Sequence, residues 1–313
     1  MTTRMNAHAK INLVLRVGAR QPDGYHELRT TFQSLALHDT LEFSGAPGPL
    51  VIECDDPSVP VDARNLVWRA AALAWEAAGR RGEPAGVRVV LRKRIPAQGG
   101  LGGGSADAAA ALVAFTRLWG GASSSAARHE LARQLGADVP FFLCGGTASA
   151  TGRGDRLVPV PDLPVHHVVL VFPPFGVSTA DAYRWLDEDR ERGRIPGPGG
   201  DDPGPAGIGG DGRGHVRTAD GGVLAVENDL EAPVVERHPE IGRIRDALRE
   251  AGARAAAMSG SGSTVFGLFA DEAGARAAAS GLARAGWRTA LTATAGRDEA
   301  LRFLVSTGNC RID

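Results

Sequence analysis

Between Pro96 and Leu112 the chain reads PAQGGLGGGSADAAAAL, with glycine at five of the six positions from Gly99 to Gly104. A backbone without Cβ atoms bends tightly and lets its N–H groups approach a ligand. An alanine-rich run follows at once and predicts a helix. A helix start carries unpaired N–H groups and about half a unit of positive charge. Loop and helix together predict a cradle for phosphate. The bland alternative is a flexible turn, although a free linker seldom runs straight into a strong helix. On the cradle reading, whatever the chain folds into leaves this loop within reach of an anion.

Two familiar phosphate loops do not fit. The P-loop needs a lysine after its glycines, and none stands there. The dinucleotide fingerprint needs a last glycine where this chain has Ser105. The preceding run, VRVVLRKRI, alternates: Val87, Val89 and Leu91 face one way, Arg88, Arg92 and Arg94 the other. That pattern predicts a half-solvated antiparallel strand rather than a buried parallel one.

At 313 residues and 43% hydrophobic, the chain is long enough for two domains with a proper core. A net charge of −1 gives no reason to expect nucleic acid or an anionic membrane as partner. Cys54, Cys144 and Cys310 are far apart and odd in number, which argues for a reducing compartment. No apolar run suits a signal peptide or a membrane span. The expectation is a cytoplasmic protein, with monomer and homodimer both open. Of the 35 basic residues only Lys10 and Lys93 are lysine. A lysine that persists among so many arginines marks a place where a compact ammonium is needed, or is a chance survivor.

AKINLVLRV predicts a first strand with Ile11, Leu13, Leu15 and Val17 on one face and Lys10, Asn12 and Val14 on the other. Pro22-Asp23-Gly24 marks a tight turn that delivers Tyr25 and His26, and TFQSLALHDTLEF predicts one or two further strands. A helix is expected over Asn65–Ala78, with Leu66, Ala70, Leu73 and Ala77 inward and Gly79 as its stop. Ser105 or a neighbour is expected to cap the helix after the glycine loop, with Ala108, Leu112, Phe115 and Trp119 as its core stripe. A helix capped within Ser123–Ser125 ends at Leu135. Asp138 has two readings: a loop carboxylate free for chemistry, or an N-cap for the segment starting at Val139. A hairpin follows, then a buried strand at 168–172 and a helix opened by Ser178 and Asp181 in capping-box spacing. More than half of Gly193–Gly222 is Gly or Pro, which predicts a disordered loop, with regular structure resuming near Val223. Later come an amphipathic helix (Ile241, Ile244 and Leu248 inward), strand–Gly/Ser loop–strand at 255–269, a helix and a last strand. Alternating strands interspersed with helices predict an α+β fold, with a boundary near 155–165.

A phosphate cradle, a second Gly/Ser loop at 259–263, a lysine in a strand and an aspartate in a loop suit phosphoryl transfer. Asp138 would be the base and Lys10 its partner. ATP-dependent transfer to a hydroxyl is therefore the leading class.

PAQGGLGGGSADAAA resembles the phosphate loop of the GHMP kinases, and AAMSGSGSTVFGLF resembles their C-terminal glycine-rich motif. AKINLVLRVGARQPDGYHEL, NLVWRAA, LGADVPFF and ENDLE are similar to one branch, whose members phosphorylate the 2-hydroxyl of a cytidine-diphosphate-linked methylerythritol. The resemblance covers 8–186 and 226–292. It implies two domains with the site between them. An ATP-binding domain like ribosomal protein S5 would occupy 1–160. A ferredoxin-like domain would occupy 161–296, carrying the 193–222 loop, with 297–313 a tail of no assigned role. It implies Lys10 and Asp138 as the catalytic pair, Asn12 and Thr179 on the substrate, and Tyr25, His26, Phe32 and Tyr183 around the cytidine. Pro96, Ala97, Gln98, Gly99, Gly100, Leu101, Gly102, Gly103, Gly104, Ser105 and Ala106 would wrap ATP phosphates, with Asn65 and Leu66 near the adenosine. Mg²⁺ is expected with ATP, with no ligands assigned. Two rivals remain: another small-alcohol kinase of homoserine or mevalonate type, and a nucleotide-binding module without catalysis. The ring-binding set argues against the first, and Lys10 with Asp138 against the second.

Overall fold

The Pro22-Asp23-Gly24 turn folds two long strands, β1 (Thr2–Arg20) and β2 (His26–Pro49), into an antiparallel hairpin. The computed structural model describes residues 2–122, 124–197, 214–218 and 221–302. The run from His26 to Pro49 is one continuous strand, and its length lets it pair with different partners at its two ends. Thr40–Pro49 pairs with β4 (Ala85–Arg92), beyond which lies β3 (Val51–Cys54). Thr30–Gln33 pairs with β5 (Thr147–Thr151), which turns back into β6 (Arg156–Pro159).

β1 departs from simple alternation. Register shifts fall between His8 and Lys10 and again between Asn12 and Val14. Such irregularities re-aim side chains. They bracket Lys10 and Asn12, both buried. Neither face of β1 is solvated there. Met5 and Ala7 join the core beneath the helices, while Ile11 and Leu13 join a second core shared with the other sheet.

The helices α1 (Leu66–Ala77), α2 (Gly103–Trp119), α3 (Ser125–Leu135) and α4 (Val139–Cys144) cover the first sheet. Two expectations need correction. α1 buries Val67, Ala70, Ala71 and Ala74, not the stripe through Leu66, Leu73 and Ala77. Small side chains let α1 lie close to the alanine-rich α2, and close approach rather than bulk chose the face. α2 has no side-chain cap: it starts from Gly102 in the left-handed conformation and is buried all round from Ala106 to Thr116.

The later part of the chain forms a four-stranded antiparallel sheet in the order β11 (Ala255–Met258), β12 (Val265–Phe269), β7 (His167–Phe172), β13 (Arg288–Ala293). Helices α5 (Thr179–Glu191), α6 (Glu231–Arg237), α7 (Pro239–Glu250) and α8 (Glu272–Arg284) accompany it. Regular structure resumes before Val223: β8 (His215–Arg217) pairs with β9 (Val223–Ala225). Val216 is buried and Gly214 bridges Ala255, which gives that short segment a core to join. Of the rest of the loop expectation, 198–213 and 219–220 lie outside the described residues, as does 303–313. The tail is tied down at its start, where α9 (Arg297–Ala300) begins: the Arg297 N–H bonds Asp162 at 2.6 Å and its guanidinium bonds the Thr147 carbonyl at 2.8 Å.

Strand β10 (Glu227–Asn228) crosses over to pair in parallel with Val14 and Leu15 of β1. The two sheets also share a core in which Ile11, Leu13, Leu35 and Leu101 meet Val168, Leu170, Phe266 and Leu268. No described helix is long and apolar enough to cross a membrane.

Candidate active site

The two glycine-rich loops lie against each other, backbone to backbone. A Cβ on Gly100 would stand 2.0 Å from the Ser259 carbonyl oxygen, and one on Gly102 2.6 Å from Phe142 Cζ. Ser259 Oγ donates to the Gly100 carbonyl at 2.9 Å. Asn228 holds the second loop: its amide donates to the Met258 and Gly260 carbonyls at 2.7 Å each, and its oxygen accepts from Leu230 N. Bare backbone, rather than side chains, thus meets at the opening, beside the first-turn amides of α2 that have no partner within the helix.

Lys10 and Asp138 meet beside these loops. Lys10 Nζ lies 3.5 Å from Asp138 Oδ2 and donates to Asn12 Oδ1 at 2.6 Å. Asn12 Nδ2 donates to Thr30 Oγ1 at 2.8 Å, and Thr30 donates to the Val14 carbonyl at 2.6 Å. The Lys10 backbone N–H donates to the Leu101 carbonyl at 3.0 Å, fastening β1 to the first glycine-rich loop. Asp138 stands at the N-cap position of α4 but makes no capping hydrogen bond, so the capping reading falls. The Lys10 side chain is 4% exposed and that of Asp138 36%: an ammonium sealed beneath an accessible carboxylate.

Two cavities share Asp138 as a lining residue, and Lys10 lines the first of them. The first, about 660 Å³, holds Lys10, Asn12, Phe32, Gly100, Gly102 and Gly260. The second, about 980 Å³, holds Tyr25 and His26, and both are lined by Leu28, Asp138, Thr179 and Tyr183. Thr179 Oγ1 lies 3.0 Å from Ser261 Oγ, linking α5 to the second glycine loop.

The second cavity has an aromatic wall. Tyr25 is 55% exposed, with the Arg153 guanidinium 3.7 Å over its ring. His26 is buried, with Nε2 2.8 Å from Asp187 Oδ1 and its ring 5.3 Å from that of Tyr183. Burial, and then the nearby Asp138 and Asp229 carboxylates, push the Tyr183 phenol well above its ordinary range, so it stays a neutral ring. Phe32 does not join this wall. Its ring is 2% exposed, packs 4.9 Å from Phe141 and lies 5.5 Å under Lys10 Nζ, in the first cavity.

The remaining expected residues divide. Leu66 lies 3.8 Å from where a Gly104 Cβ would be, against the loop. Asn65 caps α1, accepting from Val67 N at 2.8 Å and donating to the Pro60 carbonyl at 2.6 Å, so its side chain is occupied. Gly100, Gly102 and Gln98 face the Lys10–Asp138 cavity, whereas Pro96, Ala97 and Gly99 line another, of about 580 Å³, with Trp287 and Arg288. Gln98 lines both and has a φ of 55°. Sequence reasoning singled out the ENDLE motif but gave its Asn228 no role, and it missed Arg153 and Asp187, whose positions carry no local pattern. Among the described residues no group of three His, Cys, Asp or Glu side chains forms a metal-holding cluster.

Known proteins share this architecture. Residues 65–146 match the GHMP kinases N terminal domain and 221–288 the GHMP kinases C terminal domain. The chain is 46% identical over 276 residues to a 4-diphosphocytidyl-2-C-methyl-D-erythritol kinase of Pelotomaculum thermopropionicum, covering 86% of this chain and 90% of that one. It is 45% identical to the kinase of the same name from Solibacter usitatus, covering 87% and 84%. A crystal structure of a 4-(cytidine 5'-diphospho)-2C-methyl-D-erythritol kinase superposes with a TM-score of 0.75 at 40% identity, covering 94% of this chain and all of that one. A homoserine kinase from Cytophaga hutchinsonii, 18% identical with a TM-score of 0.65, shares the fold. The chain therefore belongs to the 4-diphosphocytidyl-2-C-methyl-D-erythritol kinase family, within the two-domain α+β GHMP kinases.

Proposed function

We propose that this enzyme transfers the γ-phosphoryl group of ATP to the 2-hydroxyl of 4-diphosphocytidyl-2-C-methyl-D-erythritol, a step in the non-mevalonate route to isoprenoid precursors. The observation that carries the reading is the Lys10–Asp138 pair, 3.5 Å apart, with Asp138 lining both the aromatic-walled cavity and the cavity bounded by the glycine loops.

Phosphoryl transfer asks for positioning, charge compensation and a proton acceptor. Asp138 is accessible enough to meet the acceptor hydroxyl and takes its proton as the bond to phosphorus forms. Lys10, sealed beneath it at 3.5 Å, offsets charge on the transferring group. Asn12 spends its oxygen on Lys10, orienting the ammonium, and with Thr179 borders the erythritol chain. The backbone amides at 99–106 hold the nucleotide phosphates. Mg²⁺ bound with the nucleotide would neutralise part of the charge on the transferring group.

The cytosine ring lies against Tyr25 and Tyr183, as aromatic faces favour, with His26 at its edge held by Asp187. Phe32 contributes an apolar wall near the reacting end instead of a stacking surface. We assign 1–160 as the nucleotide-binding lobe and 161–296 as its partner, working in the cytoplasm on water-soluble substrates, as a monomer or homodimer. Homoserine or mevalonate would leave the aromatic wall unused.

The test offers the purified protein ATP and Mg²⁺ with the cytidylylated erythritol, homoserine or mevalonate. Turnover of the first alone is expected. Comparable kcat/KM on a ringless alcohol, or nucleotide binding with turnover of none, defeats the reading.

A further inference from the structure

The second lysine of the chain takes no part in the catalytic cleft. Lys93 follows β4 and is buried between two buried carboxylates, Asp39 of β2 and Asp107 of α2, the latter at 2.6 Å. Asp39 also accepts the N–H groups of Arg94 and, at 2.9 Å, Ile95, the residues that lead into the phosphate loop. Ile95 reaches across to where the loop ends: a Cβ on Gly103 would stand 2.9 Å from Ile95 Cγ2 and 3.5 Å from Asp39 Oδ2. Asp107 lies one turn into α2, the helix whose first amides complete the cradle. The chain thus enters the loop on Asp39 and leaves it by Asp107, and Lys93 bridges the two.

This cluster is a poor way to gain stability. It buries two carboxylates on one ammonium, and Asp107 Oδ1 is buried with no hydrogen-bond partner. Such arrangements are often less stabilising than apolar packing.

We propose that Lys93, Asp39 and Asp107 are positioning residues for the phosphate loop: the ammonium fastens its two ends together, so that its backbone amides are already arranged when the nucleotide arrives. The proposal rests on the nucleotide-binding reading above. A loop ordered in advance does not lose that conformational freedom on binding. The aromatic wall of the acceptor cavity stands on the start of β2 and on α5, away from the clamp, so acceptor affinity is independent of it.

Calorimetric titration of the full-length protein with Mg·ADP, and separately with CDP, tests this. Lys93→Met alone leaves two carboxylates facing each other and risks not folding. The double variant Lys93→Met, Asp107→Asn removes the ammonium without that repulsion. It is expected to bind ADP about tenfold more weakly or worse, with CDP affinity within about twofold of wild type. Amide hydrogen exchange should quicken in peptides covering 94–107 and stay unchanged across α5. Asp39→Asn, which turns an amide donor toward Lys93, should move ADP affinity in the same direction. Equal losses for ADP and CDP, or unchanged ADP affinity, overturn the proposal, as does wild-type protein that binds no ADP. Wild-type protein that binds ADP and CDP but phosphorylates no cytidylylated erythritol defeats the functional reading and leaves this one standing.

Discussion

Asp138 occupies an N-cap position with the wrong backbone for a cap. Its φ and ψ are −81° and −18°, already helical, whereas a capping residue is usually extended. Its carboxylate is turned to Lys10 instead. On the proposed reading Asp138→Asn keeps the shape and removes the proton acceptor, so kcat should fall by about 10²-fold or more with nucleotide affinity nearly intact. Near-normal turnover would remove Asp138 from that role. His26→Ala should raise KM for the cytidine substrate by about tenfold, as loss of a buried hydrogen-bonding ring does, with little change for ATP. Equal effects on both substrates would mean that the ring is read elsewhere. Asp107 makes a prediction about pH. Burial first, and then the Asp39 charge, raise its carboxyl from 3.8 to about 7, against the opposing pull of Lys93. The folded protein keeps this proton up to about pH 7, while the unfolded chain releases it near 3.8. Between those values the folded state binds more protons, so this group's contribution to stability falls as pH rises and is level above about 7. Asp107→Asn lacks that slope. Its melting temperature relative to wild type should rise from pH 5 to pH 8; a constant difference would show that Asp107 does not titrate there.

Elements were legible where local rules decide them. Ser124 and Ser178 cap α3 and α5 as their spacing implies, and the inward face of α7 carries Ile241, Ile244 and Leu248. The face of α1 was not legible, because an alanine-rich helix has little amphipathic contrast and its neighbour chose the side. The bulges in β1 were hidden as well: alternation in AKINLVLRV looks regular, but the pairing with β2 slips on either side of Lys10 and Asn12. The glycine loop shows how an element depends on its partner. At Gly100, φ is 73° and a Cβ would meet the Ser259 backbone, which cannot swing aside as a side chain can. Gly100→Ala should therefore lower the melting temperature and weaken ADP binding together. A variant with wild-type values for both would show that the two loops do not need to touch.

The whole molecule closes its cores across the midpoint of the chain. Ile11, Leu13 and Leu101 pack on Val168, Leu170 and Phe266, and Asn228 supplies a strand residue to the first sheet and a brace to the second glycine loop. Residues 1–160 produced alone should consequently be insoluble or lack cooperative melting, since one face of their sheet would be bare apolar surface. A soluble fragment with a sharp transition would show that the shared core is dispensable. The amino-acid sequence by itself determined most of the strands, most helix ends, the glycine-rich turn ahead of α2 and the motifs that identify the kinase family. The elements follow from short-range sterics, capping and periodicity, and the motifs carry the family by resemblance. Only the tertiary structure decided that Lys10 meets Asp138, that Phe32 lies beneath the lysine and away from the aromatic wall, and that Lys93 bridges the two ends of the loop. Those meetings join residues far apart in the chain, and the packing of sheets and helices, which no local pattern encodes, brings them within reach.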